Sequence, residues 1–273
     1  MSPPSSRPPG LARFRAAVTM MSAIVLLELC GCQTDGGMSE ITGSLGDKSE
    51  KAVPARSLES YRDRYRANPQ DVEAALQYGK ALRAAGQRPQ AVAVLEQVTL
   101  AHPSDKALLA AYGRALADNG NFQQAFDVLG RAHTPEDPDW RILSAQGAAL
   151  DQLGQGEEAR QYYASALRIV PDEPSVLSNL GLSYVLSKDL VKAEETLRRA
   201  NSRPDADPRV RQNLALVIGL RGHMAEAESL VKEGRPAEEA AANVAYLRKM
   251  LAKQASAKPD TDSTASVGTA RAR

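Results

Sequence analysis

Residues 110–130 read AAYGRALADNGNFQQAFDVLG. Gly113 is followed twelve positions later by Ala125 and sixteen later by Leu129. The same trio stands at Gly79, Ala91 and Leu95, at Gly147, Ala159 and Tyr163, and at Gly181, Ala193 and Leu197. Each step is 34 residues, and Leu109, Leu143 and Leu177 keep the same phase. Such a period marks a stack of like units. The residue types say what each unit is. Two antiparallel helices need Gly and Ala where they approach most closely, and large residues to fill the gap to the next pair.

The interhelix turns are punctuated in step, at Ala85-Gly86-Gln87, Asn119-Gly120-Asn121 and Leu153-Gly154-Gln155. Gly suits the left-handed residue that ends a helix. Pro89 suits the start of the next helix, where a missing N–H costs nothing. Pro103 and Pro171 end their units. The 34-residue helix pair is the period of the tetratricopeptide (TPR) repeat. Four repeats run over 72–105, 106–139, 140–173 and 174–207. A degenerate fifth, 208–235, keeps Leu214, Gly222 and Ala227 but has Ala215 in the Gly position. Residues 57–67 read as a second helix without its partner. Residues 236–252 read as one amphipathic helix with Ala237, Ala240, Val244, Leu247 and Leu251 in a stripe, which covers the end of the stack. The expected fold class is all-α: a TPR helix-hairpin superhelical solenoid over 57–252 with a C-terminal capping helix. Residues 253–273, rich in Ser, Thr, Ala and Lys, are expected to be disordered.

Composition agrees. Aromatic residues are 4% of the chain, fewer than a sandwich or α/β core usually needs. The formal charge is +1, from 34 basic and 33 acidic residues, which provides no bulk field for nucleic acid or anionic lipid. No nucleic-acid partner is expected.

The N-terminus reads as an address. Arg7, Arg13 and Arg15 precede a 12-residue apolar run, Ala16 to Leu27, too short to span a bilayer and suited to a secretory signal. Leu29-Cys30-Gly31-Cys32 follows and resembles the bacterial lipobox. The competing reading is an uncleaved signal or an inert apolar N-terminus. The resemblance implies a signal peptide over 1–31 and lipidation of Cys32. Several acyl chains anchor firmly at about 0.8 kcal/mol per buried CH₂. Residues 32–56 then form a lipidated flexible tether, whose span is roughly 25–30 Å by the coil estimate. Gln33, in place of Asp, points by the enterobacterial rule to the outer membrane, so the expected location is the periplasmic face of the envelope.

A TPR solenoid carries its partner on the face made by the first helix of each unit. Counting the Gly as position eight, positions two, five, nine and twelve point into that groove. They supply Lys80, Arg83 and Arg114 early, Arg141, Ser144 and Asp151 in the middle, and Leu182, Val185 and Leu216 late. The gradient from basic to apolar suits a protein segment with an acidic and an apolar end. Position six holds Gln77, Asn179 and Asn213. An Asn amide donates to and accepts from a peptide at once, and Asn here resembles the peptide-gripping asparagines of other TPR proteins. Two alternatives stay open: the amides cap turns or face water, and the C-terminal helix covers Leu182, Val185 and Leu216.

No catalytic or metal site is expected. His102, His133 and His223 all fall in turns, with no helical Glu or His at metal spacing. No phosphate loop or nucleophile elbow is written in the chain. No cofactor is called for.

The wording becomes more specific in PDWR (138–141), AALD (148–151), Tyr162-Tyr163, PSVLSNLGLSY (174–184), RQNLAL (211–216) and NVAYL (243–247). With 110–130, these resemble the TadD-type TPR lipoproteins of the tight adherence (Tad) system, which assembles Flp pili. The resemblance covers about 57–252. It implies a non-enzymatic scaffold, lipid-anchored to the outer membrane, that grips the pilus secretin or another Tad component and helps to assemble or place it. The alternative is a general periplasmic adaptor that docks cell-wall enzymes or an outer-membrane assembly complex.

Overall fold

A computed structural model describes residues 55–256, with side-chain surroundings for 57–252. The expected signal peptide, Cys32 and nearly all of the tether lie outside the described residues, as does the tail beyond 256. Twelve helices and no strand make up the described part. They are α1 (Ala55–Ala67), α2 (Val72–Ala84), α3 (Arg88–Ala101), α4 (Lys106–Asp118), α5 (Phe122–Gly130), α6 (Trp140–Gln152), α7 (Gly156–Ile169), α8 (Pro174–Leu186), α9 (Leu190–Asn201), α10 (Pro208–Leu220), α11 (Met224–Lys232) and α12 (Ala237–Ser256). The first helices of the five units begin at 72, 106, 140, 174 and 208, the second helices at 88, 122, 156, 190 and 224. α12 runs four residues past 252, into the stretch expected to be disordered, where Lys253, Gln254 and Ala255 are good helix formers.

Each first helix starts on an acid in the same phase. Asp71, Asp105, Asp139, Glu173 and Asp207 accept hydrogen bonds from the backbone N–H groups of Glu73, Leu108, Arg141, Ser175 and Arg209. These side chains satisfy donors that the helix leaves open and complement its dipole. Each first helix also ends alike. The N–H groups of Gln87, Asn121, Gln155, Asp189 and His223 reach back to the carbonyls of Leu82, Leu116, Leu150, Tyr184 and Ile218. That closure needs a left-handed residue just before the donor. Gly86, Gly120, Gly154 and Gly222 supply it; in the fourth unit Lys188 does, at φ 62°.

The Gly–Leu register is a close approach. A β-carbon on Gly113 would stand 2.6 Å from Cγ of Leu129, and one on Gly181 2.6 Å from Cγ of Leu197. The fifth unit exchanges volume across the hairpin: Ala215 replaces the Gly, and sixteen positions on Val231 replaces the Leu, both buried. α5 is shorter than α3, α7 and α9. It stops at Gly130, and the segment with Pro135 and Pro138 forms a small loop closed by Thr134 and Asp137. The apolar core is a row, not a ball. One cluster runs from Tyr65 to Val176, a second from Leu182 to Met250, and a small third joins Leu177, Ala200 and Val210.

Candidate functional site

The face made by α2, α4, α6, α8 and α10 carries the residues expected to meet a partner. The two asparagines form a ladder. Asn179 on α8 donates from Nδ2 to Oγ of Ser144 on α6 at 3.1 Å. Asn213 on α10 donates to Ser178 on α8 at 3.0 Å. Each bond spans 35 residues and ties neighbouring first helices. Both asparagines are half-buried, and among the described residues their amide oxygens have no hydrogen-bond partner. Gln77 is held differently: it accepts from Arg64 at 2.9 Å and donates to Glu73 at 2.7 Å.

The basic end is largely self-paired. Arg83 donates to the Asp118 carboxylate at 2.6 Å, with both side chains mostly buried. Lys80 is exposed and Arg114 half-buried, and each has an interaction of its own. Arg141 is exposed and lies over the Trp140 ring, 4.4 Å from its centroid. The apolar end departs from the expected accessible lining. Leu182 is 3% exposed and Leu216 5%, both in the cluster that includes Val244, Leu247 and Met250 of α12; Val185 packs against it half-buried. A β-carbon on Gly219 would stand 2.7 Å from Cδ1 of Leu251, so α12 lies close against α10. Burial of large apolar side chains beneath a terminal helix is what the open end of a stack requires. Leu182 and Leu216 therefore belong to the core.

Between α6, α7 and α8 the lining turns polar and buried. Asp151, 8% exposed, accepts from Ser183 at 2.7 Å and from the Tyr163 phenol at 2.8 Å. Burial pushes its carboxyl above the usual range, against the opposing pull of those two hydroxyls and of Arg160. The Tyr163 phenol is pushed well up, first by burial and then by the adjacent carboxylate. Arg160 pairs with Glu157, reaches Ser183 at 3.4 Å and lies 5.4 Å from the Tyr184 centroid. Sequence reading placed Asp151 in an open groove. Its partner Tyr163 stands where the first, second and fourth units have Leu and the fifth has Val231, and that Tyr exchange in phase was the available signal.

Among the described residues no group of three His, Cys, Asp or Glu is placed to hold a metal ion. None of the described helices is long and apolar enough to cross a membrane. His102 meets the carbonyl of Gln70 at 3.3 Å and His133 the side-chain oxygen of Gln146 at 3.0 Å, both packing contacts of turns.

Two family models, each described as tetratricopeptide repeat, match residues 77–139 and 150–217. No curated protein matches the chain. Solved structures do. The Cut9–Hcn1 hetero-tetramer of APC/C is similar at 16% identity and TM-score 0.59, over 73% of this chain and 39% of that one. TTC0263, a thermophilic TPR protein of Thermus thermophilus, is similar at 24% identity and TM-score 0.57, over 67% of this chain and 98% of its own. PilW, described as a widely conserved type IV pilus biogenesis factor, is similar at 17% identity and TM-score 0.59, over 70% and 88%. At these identities the likeness is one of fold.

Proposed function

We propose, from the premise that residues 72–235 are a solenoid of tetratricopeptide repeats, that the chain is a non-enzymatic scaffold holding an extended protein segment along its first-helix face. Asn179 and Asn213 carry this reading. Each spends one N–H on the serine of the preceding unit, which fixes its orientation, and leaves an amide oxygen and a second N–H for a ligand. Neighbouring packed helices are about 8–10 Å apart. Two such amides therefore match main-chain groups about three residues apart in an extended segment. The segment's apolar anchors do not include Leu182 or Leu216, which the core already uses.

The finer reading is a lipoprotein of Flp pilus biogenesis that assists the outer-membrane secretin. Its support is the wording of 110–130 and 174–184 together with the lipobox at Cys32; the likeness to PilW adds fold only. The lipid supplies the destination and the repeats supply the grip. Photo-crosslinkers at 141 and 185, on the same face as the two asparagines, test both levels in cells. Capture of the secretin, lost when Asn179 and Asn213 are replaced by Ala, is the expected result. Capture of a cell-wall enzyme instead removes the pilus role and leaves the scaffold. No captured protein from this face removes the scaffold role as well. Cys32→Ser is expected to move the protein out of the membrane fraction.

A further inference from the structure

We infer that the solenoid is hinged between its third and fourth repeats, so that α1–α7 and α8–α12 move as two bodies. Three independent features meet at that junction. The apolar core divides along α8: Val176, with half-buried Leu180, belongs to the first cluster, Leu177 to the small third one and Leu182 to the second. Leu167 of α7 packs against both the first and the third, so the apolar connection narrows to few side chains.

Polar groups replace what the core lacks. Three of the seven buried polar side chains among the described residues, Ser144, Asp151 and Ser183, bond across the junction of α6 and α8. Three bonds cross the seam: Ser183 to Asp151, Asn179 to Ser144 and Arg160 to Ser183. Glu157, Tyr184 and the Tyr163 phenol complete the polar lining. The connecting turn is also unlike the others. Asp172, between α7 and α8, has φ 60°, the left-handed region, and pairs with Arg199 of α9. Among the described turns that follow the second helix of a repeat, only this one and the α11–α12 turn, at Gly234, hold a residue with positive φ.

Interdigitated apolar packing resists small shifts, because every displaced atom loses contacts without a substitute. A hydrogen bond trades its protein partner for water at little net cost. A seam of the second kind inside a row of the first is where two arrangements of a stack differ least in energy. The consequence is a face whose curvature adjusts between Ser144 and Asn179, whatever segment it carries.

Spin labels test this in the full chain with Cys30 and Cys32 replaced by Ser. Two matched pairs each span two repeats on exposed second-helix sites: Ala93 with Gln161, and Asp127 with Glu195. Only the second pair crosses the seam. A broader distance distribution for Asp127–Glu195 than for Ala93–Gln161 is expected. The combined Asp151→Ala, Tyr163→Leu and Ser183→Ala variant gives the third unit the second unit's residues (Ala117 and Leu129) and the fourth unit the Ala that stands at 115 and 149. It is expected to narrow the Asp127–Glu195 distribution towards that of Ala93–Gln161. Equal widths for the two pairs in the parent protein overturn the hinge, and that comparison stands even where the variant does not fold. A folded variant with the Asp127–Glu195 width unchanged overturns it too.

Discussion

The phenol of Tyr163 donates to the buried carboxylate of Asp151 at 2.8 Å, inside a stack whose other units place Leu95, Leu129, Leu197 and Val231 at the same position. The larger ring needs a small neighbour, and a β-carbon on Gly147 would stand 2.8 Å from its Cε1. The hydroxyl needs an acceptor, and Asp151 is it. A packing exchange in one helix thus carries a charge into the core.

That charge sets a pH dependence. Burial raises the carboxyl pKa of Asp151 in the folded protein. A raised value means the fold holds the proton more tightly than the unfolded chain does. The stabilisation is complete below the unfolded carboxyl value of about 3.9 and is lost as pH rises through the folded value. At pH 7 ionised Asp151 is therefore a cost. Asp151→Asn is expected to be more stable than the parent in urea at pH 7, and equal to it near pH 4. A variant less stable at pH 7 than at pH 4, relative to the parent, contradicts this.

Gly113 is needed for space. Its absent β-carbon would meet the fully buried Leu129, so Gly113→Ala is expected to cost about 1–3 kcal/mol by overpacking. Leu129→Ala alone leaves a cavity and costs about 2–5 kcal/mol. The double variant is expected to cost less than the sum, because the new methyl occupies part of the cavity. Thermal unfolding of the three variants reads the coupling.

Lys188 bears a backbone conformation that Gly86, Gly120, Gly154 and Gly222 bear elsewhere. A non-glycine residue there costs about 1–2 kcal/mol. Lys188→Gly gives part of that back to the unfolded chain's extra freedom, about 0.4–1 kcal/mol. A net gain of up to about 1 kcal/mol in denaturant unfolding is expected. A loss would mean that the exposed Lys188 side chain, at the dipole end of α8, matters more than its backbone.

The Asn ladder separates stability from recognition. Asn213→Ala is expected to cost about 0.5–1.5 kcal/mol, the net worth of its bond to Ser178. Asn213→Ala is also expected to abolish crosslinked capture of the partner. Ser178→Ala is expected to cost a similar amount of stability but to retain capture, since the ligand-facing amide remains.

Removing α12 tests what covers the end of the stack. Truncation after Gly234 exposes Leu216 and its neighbours, freed from Val244, Leu247 and Met250. The shortened chain is expected to unfold at lower temperature and to self-associate, as exposed apolar ends do. Light scattering against the full chain measures it. A monomer of unchanged thermal stability would place α12 outside the core.

Much of this protein was legible in one dimension. The step of 34 from Gly79 to Gly181 announced the hairpins, because only a small residue allows two helices to approach so closely. The acidic caps at Asp71, Asp105, Asp139, Glu173 and Asp207 follow the same step and were equally readable. They escape a search for apolar periodicity because they are polar and stand outside the helices they start.

The sequence by itself determined the repeats, since contacts within one hairpin lie at short, constant spacing and each residue type has one local reason. Only the tertiary structure decided which face residues remain for a partner. Leu182 and Leu216 look like an apolar groove until α12 is seen in the same cluster, and Asp151 looks solvated until Tyr163 and Ser183 close over it. Those outcomes depend on side chains about one repeat apart, such as Asp151 and Ser183, brought together by a rotation from unit to unit that no single repeat encodes.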